Sequence, residues 1–443
     1  MPSNLGVMPC ASAHVGTRRR ILVTGASGLI GHALCEALHR QGFDVIHVQR
    51  SRHADMADRR VHSMDFARAT HPADWLPLVH GVDAVVNAAG IFNEHGSTSF
   101  EAVHTGTPLA LFQASVQAGV RRIVQISAWG ATPDAPTTFL RTKWAADEGL
   151  LRMSPDGIVV LPSLVFGRNG ASTRALIAMA ASPWLPLPEG GTQLVQPIHV
   201  NDLVALLLRV LTADAADLPR RIPAVGTRPV QLRDYLRTLR KSVFDRPLRT
   251  STLPPRLLKL CGRLSRNPWL DQNAQDMLAQ ARPADGSVMQ RLLGYPQRPP
   301  EQFVAPEDVA DLRSRASWTW MEPVARWSLV LLWIATGCLS LGIYPIGNSV
   351  ALVERLGFSA PMALGCVYAG GVLDVALGAA LLLRRTRRLA YVLQLAAMAG
   401  YTVLASIAAP GDWLYPFAPL LKNIPIAALT LLLLTREPRP STT

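Results

Sequence analysis

RILVTGASGLIGHALCEALHRQG, residues 20–42, reads as a strand, a turn and a helix. Residues 20–25 form a short apolar, β-branched run, and in the stretch that follows Leu29, Ile30, Ala33, Leu34, Ala37 and Leu38 recur on one helical face. The joint carries Gly25, Gly28 and Gly31 at three-residue spacing. Glycines here allow a tight turn, let the backbone approach a pyrophosphate and let helix and sheet pack closely. The helix N-terminus adds N–H donors and a partial positive charge. Further strand-like runs follow at FDVIHV (43–48), VHSMD (61–65), DAVVNAAG (83–90), RRIVQIS (121–127) and IVVLP (158–162), with helical patterns between most of them. That alternation predicts an α/β doubly wound parallel sheet.

TGASGLIG (24–31), Asp65 after the third strand, NAAG (87–90), HTGTPLALFQASVQAGVRRIVQISA (104–128), LPSLVFG (161–167) and QPIHVNDL (196–203) occur in this order. With them, about residues 18–300 resemble the extended or atypical short-chain dehydrogenase/reductases, an NAD-dependent epimerase/dehydratase-like group. The resemblance implies an NAD(P)-binding Rossmann domain over 18–167 and a small substrate lobe over 168–300. In that domain Gly25, Ser27, Gly28, Leu29, Ile30 and Gly31 would line the pyrophosphate and Asp65 the adenine. Ala88, Ala89 and Gly90 would contact the adenosine half, with Lys143 and Pro162 also at the cofactor. Where an acidic residue would hold the ribose 2′-hydroxyl of NAD, the chain has Gln49, Arg50, Ser51 and Arg52. A guanidinium attracts a 2′-phosphate. NADP(H) is therefore expected in preference to NAD(H), with Arg50 as the contact; the alternative is that these arginines form a solvated turn.

Members of the group that reduce carbonyls place a Tyr four residues before a Lys, with a Ser nearby, and the phenol passes a proton as hydride moves. Here Ser127 and Lys143 stand at the Ser and Lys positions and are the catalytic candidates, but the Tyr position is Phe139, which has no proton to give. TKWAADEGLL (142–151) without the Tyr is similar to the subgroup typified by the NADPH-binding accessory subunit of respiratory complex I. In that subgroup the nucleotide can be structural.

Beyond a linker at 301–325, four apolar stretches, 327–345, 356–383, 389–410 and 413–435, are each long enough to span about 30 Å of hydrocarbon. The first and third contain no charged residue. Trp327, Tyr344, Trp413 and Tyr415 near their ends suit the interfaces. Arg326, Arg384, Arg385, Arg387, Arg388, Arg436 and Arg439 fall on one side of such a four-helix transmembrane bundle, against Arg355 on the other. By the positive-inside rule the N-terminal domain and the C-terminus face the cytoplasm of a bacterial-type inner membrane. Asp374 in the second stretch and Lys422 in the fourth come out at one depth, near the midplane. Pairing them, or placing them in a polar pocket with Asn423, offsets their insertion cost of about 2.5–3.5 kcal/mol each. The alternative has Lys422 snorkelling to an interface and Asp374 buried protonated. Through GGVLDVALG (370–378) and LKNIPIAALTLL (421–432), residues 326–436 resemble the DoxX-like four-helix membrane family, linked by name to quinone-coupled chemistry.

The composition fits such a fusion. The 443 residues are 49% hydrophobic and 17% charged, with a net charge of +13. That excludes a disordered or nucleic-acid-coating chain. Residues 1–17 read as a disordered leader with no secretory signal, and five cysteines without a CxxC pair read as reduced thiols, with no metal site. Three functions compete: an oxidoreductase passing hydride to a hydrophobic or quinone-like acceptor, a non-catalytic nucleotide-binding accessory protein, and a membrane binder or transporter centred on Asp374 and Lys422.

Overall fold

The computed structural model describes residues 18–50, 60–94, 96, 98–253, 282–414 and 420–438. The expected leader, together with Ser51, Arg52 and Tyr415, lies outside them. Two compact units divide between Ala316 and Ser317.

In the first unit, β1 (Arg20–Thr24) leads into α1 (Leu29–Arg40), followed by β2 (Asp44–Gln49), β3 (Val61–Ser63), α2 (Pro72–Val79) and β4 (Ala84–Asn87). Next come α3 (Thr107–Gln117), β5 (Arg122–Ile126), α4 (Thr138–Met153) and β6 (Ile158–Pro162). A late strand, Arg221–Ala224, completes a seven-stranded sheet, pairing with β6. From that edge the order runs through β6, β5, β4, β1 and β2 to β3, with every pairing parallel. The chain winds outward from β1 to β3, then crosses back to β4 on the other side of β1. This reversal opens a crevice at the strands' carboxyl ends. Strands buried on both faces need apolar runs rather than alternation, which is what β1, β4, β5 and β6 supply. One core contains Ile21, Val23, Leu34 and Leu38; the other, on the opposite face, contains Leu22, Trp75, Val85, Leu111, Ile123 and Leu150.

Two segments differ from expectation. SPWLPLPEGG (182–191), whose prolines and glycines suggest turns, contains a strand, Trp184–Pro188, paired in parallel with Arg249–Leu253. Pro186 and Pro188 fall on alternate residues, so their missing N–H groups share one edge and the other keeps its donors. The supposed linker 301–325 is folded. Phe303, Leu312 and Ala316 are buried in the small lobe's core, and Arg168 pairs with Asp308 and Asp311 at 2.9 and 3.1 Å. Pro300 and Pro306 begin single 3₁₀ turns there, so the proline-rich composition marks short turns that present apolar anchors.

The second unit is helical and multi-pass. Among the described residues, three helical segments are long and apolar enough to cross a membrane: Pro306–Ile343, Ala360–Ala380 and Arg387–Ala408. The fourth expected span is shorter, a 14-residue helix, Asn423–Arg436. Pro425 lies in its first turn, the only part of a helix that tolerates a residue without an N–H. The first and second membrane helices approach closely through glycines. A Cβ on Gly337 would lie 2.6 Å from the Gly371 carbonyl oxygen, and one on Gly378 would lie 2.8 Å from Ile334.

The expected Asp374–Lys422 pair is absent. Among the described residues Asp374 forms no ion pair; it accepts a 3.0 Å hydrogen bond from Tyr401 Oη of the neighbouring helix. Lys422 is exposed at the head of the short helix, and Asn423 Nδ2 donates to Thr402 Oγ1 at 2.7 Å. The depth estimate assumed that the fourth span is helical from Trp413, whereas its helix starts ten residues later. Tyr401→Phe leaves Asp374 without this donor and is expected to cost the membrane unit about 0.6–2 kcal/mol. Thermal unfolding in lipid nanodiscs checks it, and Asp374→Asn in the Tyr401→Phe background should add less than it does alone.

Candidate functional site

The crevice is built first by glycine. Gly25 takes φ +65°, and a Cβ on it would lie 2.6 Å from the Ala88 carbonyl oxygen. A Cβ on Gly31 would lie 2.2 Å from the Gly25 carbonyl oxygen. Gly28 caps α1 without a side chain, its N–H donating to Gly25 O at 2.9 Å, and the first turn of α1 bears no carboxylate. The N–H groups of Leu29 and Ile30, in the first turn of α1, and the exposed Ser27 are thus the donors this turn offers to an anion. Ala88, Ala89 and Gly90 follow β4 at the same edge, and Pro162 ends β6 there. Arg50 and Asp65 are exposed just beyond β2 and β3; Asp65 Oδ1 accepts from Ala67 N at 3.0 Å.

Behind this edge a polar chain crosses the sheet. Thr24 Oγ1 donates to Asn87 Oδ1 at 2.5 Å, and Asn87 Nδ2 donates to Gln125 Oε1 at 2.7 Å. Lys143 is buried on α4, its ammonium donating to the carbonyls of Ala89 (3.1 Å) and Ile126 (3.2 Å). Burial pulls it down to about 8, partly opposed by the charge of Asp147. Asp147, one helical turn on and fully buried, is pushed up by burial to about 6 and bonded to Ser127 Oγ at 2.5 Å. Ser127 thus follows the Ile126 carbonyl that Lys143 holds, and its hydroxyl is turned to Asp147.

Phe139 sits in an aromatic cluster. It packs edge-on to His104 (5.1 Å) and Phe100 (6.0 Å) and stacks on the exposed Phe92 at 5.6 Å. His104 Nε2 accepts the Ile91 N–H at 3.0 Å, which assigns its proton to Nδ1, 3.3 Å from Thr142 Oγ1. Burial, with the Lys143 charge second, takes this imidazole down to about 2, so it is neutral and no acid in place of the tyrosine. Sequence reasoning gave no role to Asp147 or His104. The i, i+4 spacing of Lys143 and Asp147 was the available signal for the first; His104 becomes visible only once its helix docks against α4.

Fold and site together define a nicotinamide-dinucleotide-binding Rossmann unit carried on a multi-pass membrane protein. Residues 21–226 match the NAD dependent epimerase/dehydratase family and residues 330–431 the DoxX-like family, so the chain joins a domain of each. The chain is 28% identical to NADH dehydrogenase [ubiquinone] 1 alpha subcomplex subunit 9, mitochondrial, of Arabidopsis thaliana, over 44% of this chain and 51% of that one. It is 27% identical to the ceramide reductase of Caulobacter vibrioides, over 42% and 59%. The chain thus spans about half the length of the curated relatives it matches. UDP-glucuronic acid 4-epimerase from Bacillus cereus in complex with NAD superposes with a TM-score of 0.51 at 16% identity, covering 66% of this chain and 99% of that one, a likeness of fold.

Proposed function

We propose that the chain is a membrane-anchored NADP(H)-binding oxidoreductase that passes hydride to a hydrophobic or quinone-like acceptor. The observation that carries the nucleotide part is the cradle of Gly25, Gly28 and Gly31 closed by Ala88 and backed by Lys143. When bound, the nucleotide supplies the hydride. The chain's own residues hold it: α1's N–H groups take the pyrophosphate, and Lys143, with two protons committed to carbonyls, offers the third to a ribose hydroxyl. Phe139, Phe92 and the neutral His104 leave no acid at the tyrosine position, which favours an acceptor that takes its proton elsewhere. The same Phe139 favours a second reading, a non-catalytic accessory protein that binds the nucleotide for stability. In either, residues 168–300 serve as the lobe over the nicotinamide, and the arginine-rich end of the membrane unit faces the cytoplasm of an inner membrane.

Full-length protein in nanodiscs, titrated with NADPH and NADH by fluorescence and then given a ubiquinone analogue, separates these readings. Binding with turnover supports the oxidoreductase, binding without turnover the accessory protein, and no binding overturns both. Arg50→Gln is expected to weaken NADPH about 10-fold, the loss of one charge-assisted bond, while leaving NADH unchanged. Tighter NADH than NADPH binding by the wild type would remove the role given to Arg50.

A further inference from the structure

The basic residues that the sequence scatters over three connections converge on one end of the membrane unit. Glu437 is the hub: it lies 3.7 Å from Arg326 and 3.8 Å from Arg387, and its carbonyl accepts from Arg388 Nη1 at 3.4 Å. Glu322 also pairs with Arg326, and Arg436 lies 5.0 Å over the Trp318 ring. The two carboxylates answer Arg326 and Arg387. Arg384 and Arg385, exposed in the turn between Ala380 and Arg387, have no carboxylate partner among the described residues, nor does Arg436. Six arginines against two glutamates leave a net charge of +4 at this end. An apolar belt adjoins it: Leu382, Leu383 and Leu389, flanking the two exposed arginines in the chain, are 46%, 63% and 61% exposed. Unpaired cations beside a lipid-facing apolar surface match the layer in which a bilayer's phosphates lie.

We propose that Arg384, Arg385 and Arg436 form a binding surface for the phosphates of anionic phospholipids in the adjoining leaflet. The Arg326, Arg387 and Glu437 network serves as its scaffold, fixing the turn against the C-terminal helix. Two long side chains projecting from a six-residue turn can each meet a separate headgroup, so the surface selects for leaflet charge rather than for one lipid species. This inference is independent of the nucleotide chemistry.

The test uses full-length protein in nanodiscs of phosphatidylcholine alone or with phosphatidylglycerol, scoring lipid retained on extraction by mass spectrometry. Wild type should retain phosphatidylglycerol preferentially. Arg384→Gln/Arg385→Gln should lose the preference about 5-fold per arginine, and Arg384→Lys/Arg385→Lys should keep most of it. The preference should also shrink at high salt. Equal retention of both lipids by the wild type, or an unchanged preference in the glutamine variant with its unfolding temperature intact, would overturn the proposal. So would displacement of the lipid by inorganic phosphate at millimolar concentration, which would make the site one for a free anion.

Discussion

Gly25→Ala is expected to abolish nucleotide binding and to destabilise the first unit well beyond the usual cost of a turn substitution. Two effects add. The residue sits at φ +65°, where a side chain costs about 1–2 kcal/mol. The new Cβ would also lie 2.6 Å from the Ala88 carbonyl oxygen, and Ala88 belongs to the strand end that closes the cradle. Relieving the clash pushes the β1 and β4 ends apart, at a further cost of about 1–3 kcal/mol. Gly119→Ala is the control: φ is +72° there, but nothing lies within 4 Å, so it should carry only the backbone cost and keep nucleotide affinity. Thermal unfolding with and without NADPH reads both quantities. Equal losses in the two variants would mean that Gly25 is a turn residue only.

The cradle was legible because its requirement is written in single residues. Three glycines at fixed spacing between a strand and a helix have one efficient use, and each strand of the main sheet up to β6 announced itself as a strand-like run. Arg221–Ala224 did not, because RIPA is short and interrupted by proline and gains its meaning only from a place beside β6. In the membrane unit apolarity marked the spans, but depth counted along a sequence assumes an unbroken helix. The last helix starts only at Asn423, so Lys422 fell at the wrong level while Tyr401, an uncharged residue, took its place beside Asp374. Asp147 was hidden for a related reason: a carboxylate in a helix reads as a solvated face until the sheet that buries it is in view.

Lys143 and Asp147 should tie the protein's stability to pH on both sides of neutrality. Folding raises the Asp147 carboxyl from 3.8 to about 6, so the folded chain holds that proton more tightly and stability rises as pH falls from about 6 towards 4. Folding lowers Lys143 from 10.5 to about 8, so the folded chain gives up that proton more readily and stability rises as pH climbs from about 8 towards 10.5. Between the two values both groups are charged, and each offsets part of the other's burial. Removing either at pH 7 is therefore expected to cost of order 3 kcal/mol. Asp147→Asn should abolish the acid-side slope and, by stripping Lys143 of its counter-charge, start the alkaline rise below pH 8. Lys143→Met should abolish the alkaline slope and move the acid-side one above pH 6, because Asp147 then loses the larger of the two cations that keep it ionised and retains only Arg221. The double variant should cost less than the sum of the singles, since neither charge is left alone. Unfolding of the full-length protein in nanodiscs from pH 5 to 10 measures all four curves. Additive costs with unchanged slopes would mean that the two residues only fill space, and the buried charges behind the nucleotide cradle would then have no electrostatic role.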